Sequence, residues 1–208
     1  HPAIERIERG AHADSIVDVL TSLSGADLTT VLLEVARRRS GGLTPAQVLQ
    51  HYDRDRFTRP SAADPRRLLA LELAAIEAVA PRFTAICTAP LVPLGTHSTV
   101  AGVHQNRVVT TVRNTEVAAD PTNTLALEAA VRRRRLLAAD TRSAEVVHLA
   151  AVERVVRAQQ FDGPRSFAHF SLLGLVSAGR DSGSHRFESG ALRQHLEGDF
   201  SRSALLVD

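Results

Sequence analysis

The apolar positions in the first part of the chain recur at helical spacing and predict a helical section over residues 1–60. The clearest case is DLTTVLLEVARRR, residues 27–39, in which leucine and valine return every three or four positions. Ser24 is expected to be the N-cap of this helix, and Gly41-Gly42 to end it. A short helix is expected from Pro45 to near Tyr52, and the charged run YDRDRFTRPS that follows is typical of a linker.

Helical and strand-like runs alternate after this section. Asp64-Pro65 predicts the start of a long helix whose leucines cover most of its circumference, which is typical of a helix that is buried or lies in an interface. The segment FTAIC, residues 83–87, predicts a strand that Pro90 and Pro93 break, and Gly95–Ser98 is expected to be a loop.

The most informative stretch runs from Arg107 to Asn123. Its valines and threonines predict a short buried strand over residues 108–112, and a dense polar loop follows before Pro121 opens a helix. A hydrophobic strand that leads into a polar loop at a helix start is a common way to build a ligand site in proteins of mixed structure. We therefore expect a site here.

The remaining pattern predicts a helix and then a long hairpin. Thr124–Leu137 is expected to be helical, Glu145–Gln159 a long strand, Phe161–Pro164 a turn and Phe167–Gly179 the return strand. A short helix near Leu192–Leu196 is predicted to follow a polar loop. This order predicts an α+β fold with a mainly antiparallel sheet flanked by helices. Residues 61–208 are expected to form this α+β domain.

Composition adds little to the choice of function. All 25 basic residues are arginine and the net charge is only +2, so the pI of about 9.4 is a weak indication of an anionic partner. One cysteine, Cys87, excludes a disulfide within the chain and favours a reducing compartment, and its place in a predicted strand indicates a buried thiol. No apolar run approaches the ~20 residues of a membrane span, so we expect a cytoplasmic protein without a membrane partner.

Three polar clusters are candidates for chemistry. The first is centred on His97, the second on the loop that opens at residue 113, and the third on a glycine-punctuated loop after residue 179. The residues singled out in them are His97, Arg113, Glu116, Asp120, Thr122 and Arg180. The alternatives are ordinary polar loops, an internal salt bridge with an Asp-Pro-Thr helix cap, and a hairpin turn. No tight histidine spacing is present, so no metal site is predicted.

Two segments carry a resemblance to a known family. The stretch PRFTAICTAPLV with the helix before it, and the segment ERVVRAQQFDGPRSFAHF, resemble the first and second motifs of class II aminoacyl-tRNA synthetases. The closest types are the histidyl enzyme and its regulatory paralogue in histidine biosynthesis. VVTTVRNTEV resembles the strand that carries an Arg-Pro-Glu-Gly-Thr signature in these proteins. The resemblance covers a little over half of the chain, and it implies a class II synthetase-like core with a dimer interface.

The resemblance also implies roles for single residues. Arg154 matches the arginine that holds the ATP α-phosphate, Arg157 a second arginine and Gln159 a glutamine. Val156 stands where the family has a glutamate that receives the adenine amino group. This loss counts against ATP but leaves it open as a cofactor, so the cofactor stays undetermined. The family's third motif has little room before Asp208.

We therefore expect a class II synthetase-like domain that binds a small amino-acid-like or nucleotide ligand without complete aminoacylation chemistry. Its ligand-binding residues are predicted to be His97, Arg113, Glu116, Asp120, Thr122, Arg154, Arg157, Gln159 and Arg180. A homodimer is expected. The alternatives are a non-catalytic dimeric regulatory or interaction module, and an RNA-binding module that uses the arginines at the end of the 124–137 helix.

Overall fold

The computed structural model describes residues 1–11, 15–159 and 167–197, and these form two compact units. The first unit comprises residues 1–53 and 111–114. The second comprises residues 54–110 together with the described residues from 115 onward.

The first unit is helical. Its helices are α1 (Pro2–Ala11), α2 (Ile16–Ser22), α3 (Gly25–Ser40) and α4 (Pro45–Arg54), the last of which ends at the boundary of the unit. Ser24 caps α3 as predicted, because its Oγ accepts a hydrogen bond from the backbone N–H of Asp27 at 3.1 Å. No described residue of this unit is buried. The helices of this unit therefore keep their apolar residues at least partly exposed.

The second unit contains the sheet. In chain order its elements are α5 (Pro65–Val79), β1 (Thr84–Ala85), β2 (Leu91–Pro93), α6 (Thr96–Ala101), β3 (Thr115–Val117), α7 (Pro121–Ala139), β4 (Val147–Val156), β5 (His169–Ala178) and α8 (Arg186–Leu196). Strand β4 lies in the middle of a three-stranded sheet, parallel to β1 and antiparallel to β5. Strands β2 and β3 form a separate antiparallel pair.

The two faces of β4 pack against different helices. Because side chains alternate along a strand, Leu149 and Ala151 point to one face, where they join Leu125 of α7 in a buried cluster. Ala150 points to the other face, where it contacts Val79, the last residue of α5. The sheet is thus the middle of three layers, and a residue's position along β4 decides which helix it faces.

The α+β class and the mainly antiparallel sheet predicted from the sequence are confirmed. The two long apolar runs pair over ten residues each, from Val147 opposite Ala178 to Val156 opposite His169. The predicted turn at Phe161–Pro164 lies outside the described residues.

The predicted strand over residues 108–112 is wrong. This segment makes only one isolated bridge, between Thr110 and Glu116, and the strand that pairs with β2 is β3, a few residues later. Val108 is buried as expected, and the carbonyl of Val109 accepts a hydrogen bond from the backbone N–H of Val117 in β3 at 2.8 Å. Strand propensity therefore indicated an extended, partly buried chain that touches β3 without forming a strand of its own.

Two local predictions near β1 and β2 are also wrong, and β2 itself was not predicted. Gly95–Ser98 is not a loop, because α6 begins at Thr96. The first strand ends before the two prolines as predicted, but Pro93 is the last residue of a further short strand, β2, where its missing N–H is tolerated. Cys87 is exposed rather than buried, because β1 ends at Ala85 before reaching it.

The helices at either end of this unit also differ from the expectation. Only Val79 of α5 is buried, so of the two alternatives expected for this helix the buried one is wrong, and a place in an interface stays a prediction. Helix α8 begins at Arg186, which makes it longer than the predicted Leu192–Leu196.

Among the described residues, no helix combines the length and the apolar character that crossing a bilayer requires.

Candidate functional site

A buried carboxylate organises the floor of the candidate site. Glu116, in β3, has no exposed surface, and its two oxygens accept three hydrogen bonds. The donors are the backbone N–H groups of Gly95 and His97, at 3.0 and 2.8 Å, and the side-chain amide of Gln105 at 2.8 Å. The first two lie at the start of α6, where N–H groups have no partner within the helix. Glu116 therefore fixes α6 against the β2–β3 pair.

The same contacts lower the pKa of Glu116. Burial is the largest influence and raises it, but the hydrogen bonds from His97 N–H, Gln105 and Gly95 outweigh that effect. The group is therefore a carboxylate at neutral pH. Its donors leave it little capacity for a ligand, so its role is structural.

The His97 side chain makes contacts on both sides of its ring with residues at the start of the next helix. Its ring is fully buried, and Nε2 accepts a hydrogen bond from the backbone N–H of Ala119 at 3.0 Å. On the other side of the ring, the side-chain amide of Asn123 lies 2.8 Å from Nδ1. The ring thus connects α6 with the start of α7.

The first turn of α7 is held by its own cap. Asp120 accepts hydrogen bonds from the backbone N–H and the hydroxyl of Thr122, at 2.9 and 2.7 Å, and Pro121 occupies the first helical position. The other carboxylate oxygen of Asp120 lies 3.3 Å from Nη2 of Arg157. Both alternatives named for Asp120, the helix cap and the internal salt bridge, are therefore present.

Arg157 reaches this turn from the end of β4. Its Nε donates to the carbonyl of Ala119 at 3.0 Å, and its guanidinium lies 5.3 Å from the ring centre of Phe170. The backbone N–H of Arg157 continues the pairing with the β5 side through Ala168. Arg157 is therefore held from several directions while part of its guanidinium stays accessible.

These residues enclose a pocket of about 270 Å³. It is lined by His97, Ala101, Val103, Arg107, Ala119, Asp120, Thr122, Asn123, Arg157 and Gln159. Two guanidinium groups and one carboxylate face it, and the carboxylate is already paired with Arg157. Within the described part of the chain the Arg107 side chain has no hydrogen-bond partner. The pocket therefore favours a ligand with a negative group.

A second buried carboxylate lies behind the pocket. Glu153 of β4 is almost fully buried and accepts hydrogen bonds from the hydroxyls of Thr88 and Thr124, at 2.9 and 3.3 Å. Burial raises the pKa of Glu153, and the Asp120 carboxylate adds to this, whereas the hydrogen bonds from the two hydroxyls act in the opposite direction. Glu153 supports α7 from below and does not line the pocket.

The pocket brings together five of the nine residues proposed from the sequence: His97, Asp120, Thr122, Arg157 and Gln159. Glu116 lies beneath it and is occupied by backbone donors. Arg154 is exposed on the opposite face of β4, where its Nη2 lies 2.7 Å from Nδ1 of His169. Glu116 and Arg154 therefore do not face each other across the pocket.

The other two residues are exposed elsewhere. Arg113 belongs to the first unit. Arg180 follows β5, at the end of the hairpin away from Arg157, and ten residues of strand separate the two ends by ~30 Å. Among the described residues, no cluster of three or more histidine, cysteine, aspartate or glutamate side chains could hold a metal ion.

Two residues with important positions in the pocket were not proposed from the sequence. Arg107 precedes the valine run and Asn123 sits in the first turn of the apolar α7. A polar side chain on an otherwise apolar helix, three residues after its Asp cap, was the available signal for Asn123. Arg107 had no signal of its own, because arginine is spread along the whole chain.

Comparison with known proteins gives likeness in structure alone. No protein-family model and no curated protein sequence matches the chain. A pyrrolysyl-tRNA synthetase from Desulfitobacterium hafniense matches over 73% of this chain and 49% of its own, at 16% identity and a TM-score of 0.46. In structure, the chain is similar to tRNA synthetases.

Two further structures are of the histidyl group. An ATP phosphoribosyltransferase regulatory subunit/histidyl-tRNA synthetase from Bacillus halodurans matches over 66% of this chain and 38% of its own, at 20% identity and a TM-score of 0.44. A histidyl-tRNA synthetase from Nostoc matches over 68% and 33%, at 20% identity and 0.42. The chain thus spans a third to a half of these structures.

Proposed function

We propose that the second unit binds a small amino-acid-like ligand in the pocket between α6, α7 and the end of β4, without complete aminoacylation chemistry. The observation that carries this proposal is a small pocket, lined by both buried and exposed residues, in which a guanidinium without a hydrogen-bond partner among the described residues faces the same space as a partly occupied carboxylate. Arg107 has no hydrogen-bond partner among the described residues, and Asp120 lines the same space.

The charges fit a zwitterion. A carboxylate or phosphate group would be held by Arg107 and by the N–H groups of Arg157 that are not used in the contacts with Ala119 and Asp120. An ammonium group would be held by the Asp120 oxygen that now faces Arg157, with the amide of Gln159 as a further partner.

The size of the pocket favours an amino acid over a complete nucleotide. Pockets that enclose drug-sized ligands measure roughly 300–1,000 Å³, and this one measures about 270 Å³. An amino acid fits such a volume, whereas a nucleoside triphosphate exceeds it. A nucleotide fragment remains the second ligand class to be tested.

The family resemblance adds a refinement. If the second motif's Phe-Arg-x-Glu begins at Val156 rather than three residues earlier, its arginine is Arg157 and its glutamate position is Gln159. Both residues line the pocket. This alignment supports a ligand site at the family's usual place, with an amide in place of the carboxylate that would receive an adenine amino group.

Isothermal titration calorimetry of the full chain with the twenty amino acids, inorganic phosphate and AMP tests the proposal. Arg107→Ala is the main variant, because this exposed side chain supports no other described residue. Loss of one charged hydrogen-bond donor should weaken binding about 10-fold to 100-fold. Arg154→Ala is the matched control, since this arginine is on the other face of β4, and it should bind as the wild type does.

Two results would contradict the proposal. One is the absence of heat for every compound with the wild-type chain. The other is an equal loss of affinity in Arg107→Ala and Arg154→Ala, because such a loss would have no connection with the pocket.

A second function, that of a dimeric interaction module, is favoured by one surface. Leu69 and Leu73, four residues apart on α5, are 65% and 59% exposed. Paired exposed leucines on one helical face are typical of a contact surface. Sedimentation velocity should give a dimer that Leu73→Glu dissociates, and a monomeric wild type at micromolar concentration would contradict this function.

A further inference from the structure

The hydrogen bonds around His97 determine which of its nitrogens carries the proton. The backbone N–H of Ala119 points at Nε2, and an N–H can only donate. Nε2 must therefore be the acceptor, which leaves the proton of the neutral ring on Nδ1.

This proton in turn determines the orientation of Asn123. With the side-chain nitrogen Nδ2 at 2.8 Å from Nδ1 of His97, two donors would face each other. The oxygen and nitrogen ends of an amide have nearly the same shape, and the hydrogen-bond network decides between them. With the amide turned by 180°, Oδ1 accepts from Nδ1–H and the conflict disappears.

The turned amide leaves its NH₂ group toward the pocket. Asn123 is only 5% exposed and lines the pocket, and its side chain has no other hydrogen-bond partner among the described residues. We infer that Asn123 is a specificity-determining residue, whose NH₂ group donates to a carboxylate or phosphate oxygen of the ligand, and that His97 is the positioning residue that holds it in this orientation. This inference rests on the proposed function.

The geometry explains why the site contains a buried histidine at all. Glu116 fixes the start of α6, and α6 places the His97 ring between Ala119 and Asn123. Each bond leaves only one orientation for the next group. The result is a neutral donor that stands beside the charged groups of Arg107 and Arg157 and distinguishes an oxygen acceptor from an amine.

The first experiment reads the ring directly and needs no ligand. Long-range proton–nitrogen correlation spectra of the full chain labelled with ¹⁵N-histidine distinguish the two tautomers, and the His97 signals are assigned by their loss in His97→Gln. The expected result is the Nδ1–H tautomer at pH 7.5. The Nε2–H tautomer would overturn the inference without touching the proposed function.

The second experiment uses inorganic phosphate as the probe and follows its binding by calorimetry. Asn123→Asp keeps an oxygen to accept from Nδ1–H but replaces the donor by a negative charge, so phosphate binding should fall at least about 10-fold. Asn106→Asp introduces the same charge at an exposed position next to Arg107 and is the control. It should retain most of the wild-type affinity.

The stability of the same variant gives a third result. If Nδ1 is a donor, Asn123→Asp gains an acceptor with full charge, and its unfolding temperature should not be below that of Asn123→Ala. A clearly lower value would overturn the inference. Equal phosphate binding by the wild type and Asn123→Asp would also overturn it, while the proposed function would stand. No phosphate binding by the wild type would overturn the anion-binding role of the pocket and the role of Asn123 with it.

Discussion

Replacing Glu116 by glutamine should destabilise the second unit through hydrogen bonding alone. One carboxylate oxygen accepts from His97 N–H and the other from Gly95 N–H and the Gln105 amide. An amide has one oxygen, so it can serve at most one of these two sets, and its NH₂ group then faces a buried donor. Glutamine keeps the size of the side chain, so packing does not change.

The magnitude follows from the bonds that are lost. In the best case, glutamine keeps the two bonds of one oxygen and loses the third, which is made to a charged group and contributes about 1.5–3 kcal/mol. The unsatisfied donor and the new donor–donor contact add to this loss. We expect a decrease in the free energy of unfolding of about 2–4 kcal/mol, measured by urea denaturation of the full chain with far-UV circular dichroism.

A matched control separates this effect from the loss of a charge. Glu128 of α7 makes one ion pair, with Arg132 at 2.8 Å, and more than a third of its side chain is exposed. Glu128→Gln should therefore decrease the free energy of unfolding by no more than about 0.5 kcal/mol. Similar losses in the two variants would refute the reasoning.

The pH dependence provides an independent test. Because the folded pKa of Glu116 lies below the ordinary value of 4.5, its carboxylate contributes stability that is fully present above pH 4.5. That stability is lost as the pH falls through the folded pKa. The difference between the wild type and Glu116→Gln should therefore shrink in acid, and a difference that stays constant from pH 7 to pH 3 would contradict the assigned role.

Three further changes have expected outcomes. Because burial raises the pKa of Glu153 above 4.5, the folded protein loses stability as the pH rises from that value through the folded pKa. The unfolding temperature of Glu153→Gln minus that of the wild type should therefore be larger at pH 8 than at pH 5. In Gly174→Ala the new methyl group would lie 2.8 Å from the Pro121 ring, which should decrease the free energy of unfolding by about 1–3 kcal/mol in urea denaturation. Burial lowers the pKa of both His148 and His195, so the unfolding temperature should fall as the pH drops below 6.5, and His195→Asn should reduce that dependence.

The elements that the sequence predicted well are those with long, regular patterns. Strands β4 and β5 are ten-residue apolar runs that pair with each other, and α7 follows an Asp-Pro cap. In each case one local pattern is enough. Short elements depend on distant partners instead: α6 exists because Glu116, nineteen residues after His97, satisfies its first N–H groups. No local pattern carries that information.

The sequence predicted part of the candidate site, because one of its elements has a clear local pattern. Asp120 and Thr122 stand at a helix start that the sequence marks clearly, and both line the pocket. Glu116 was included because its charge, together with those of Arg113 and Asp120, suits a small zwitterion. Its full burial against three donors gives it another role, and only the three-dimensional arrangement distinguishes the two.

The number of residues between two arginines near the end of β4 decides which face of the sheet each one occupies. Arg154 and Arg157 are three positions apart, so on an extended chain they point to opposite faces. Arg157 faces the same side as Glu153, where α7 packs, and Arg154 faces the side of Ser171 and α5. One binding site on one face of the strand can therefore use only one of them. The capped turn of α7 and the His97–Asn123 contact are on the Arg157 side, and this makes Arg157 the arginine of the pocket.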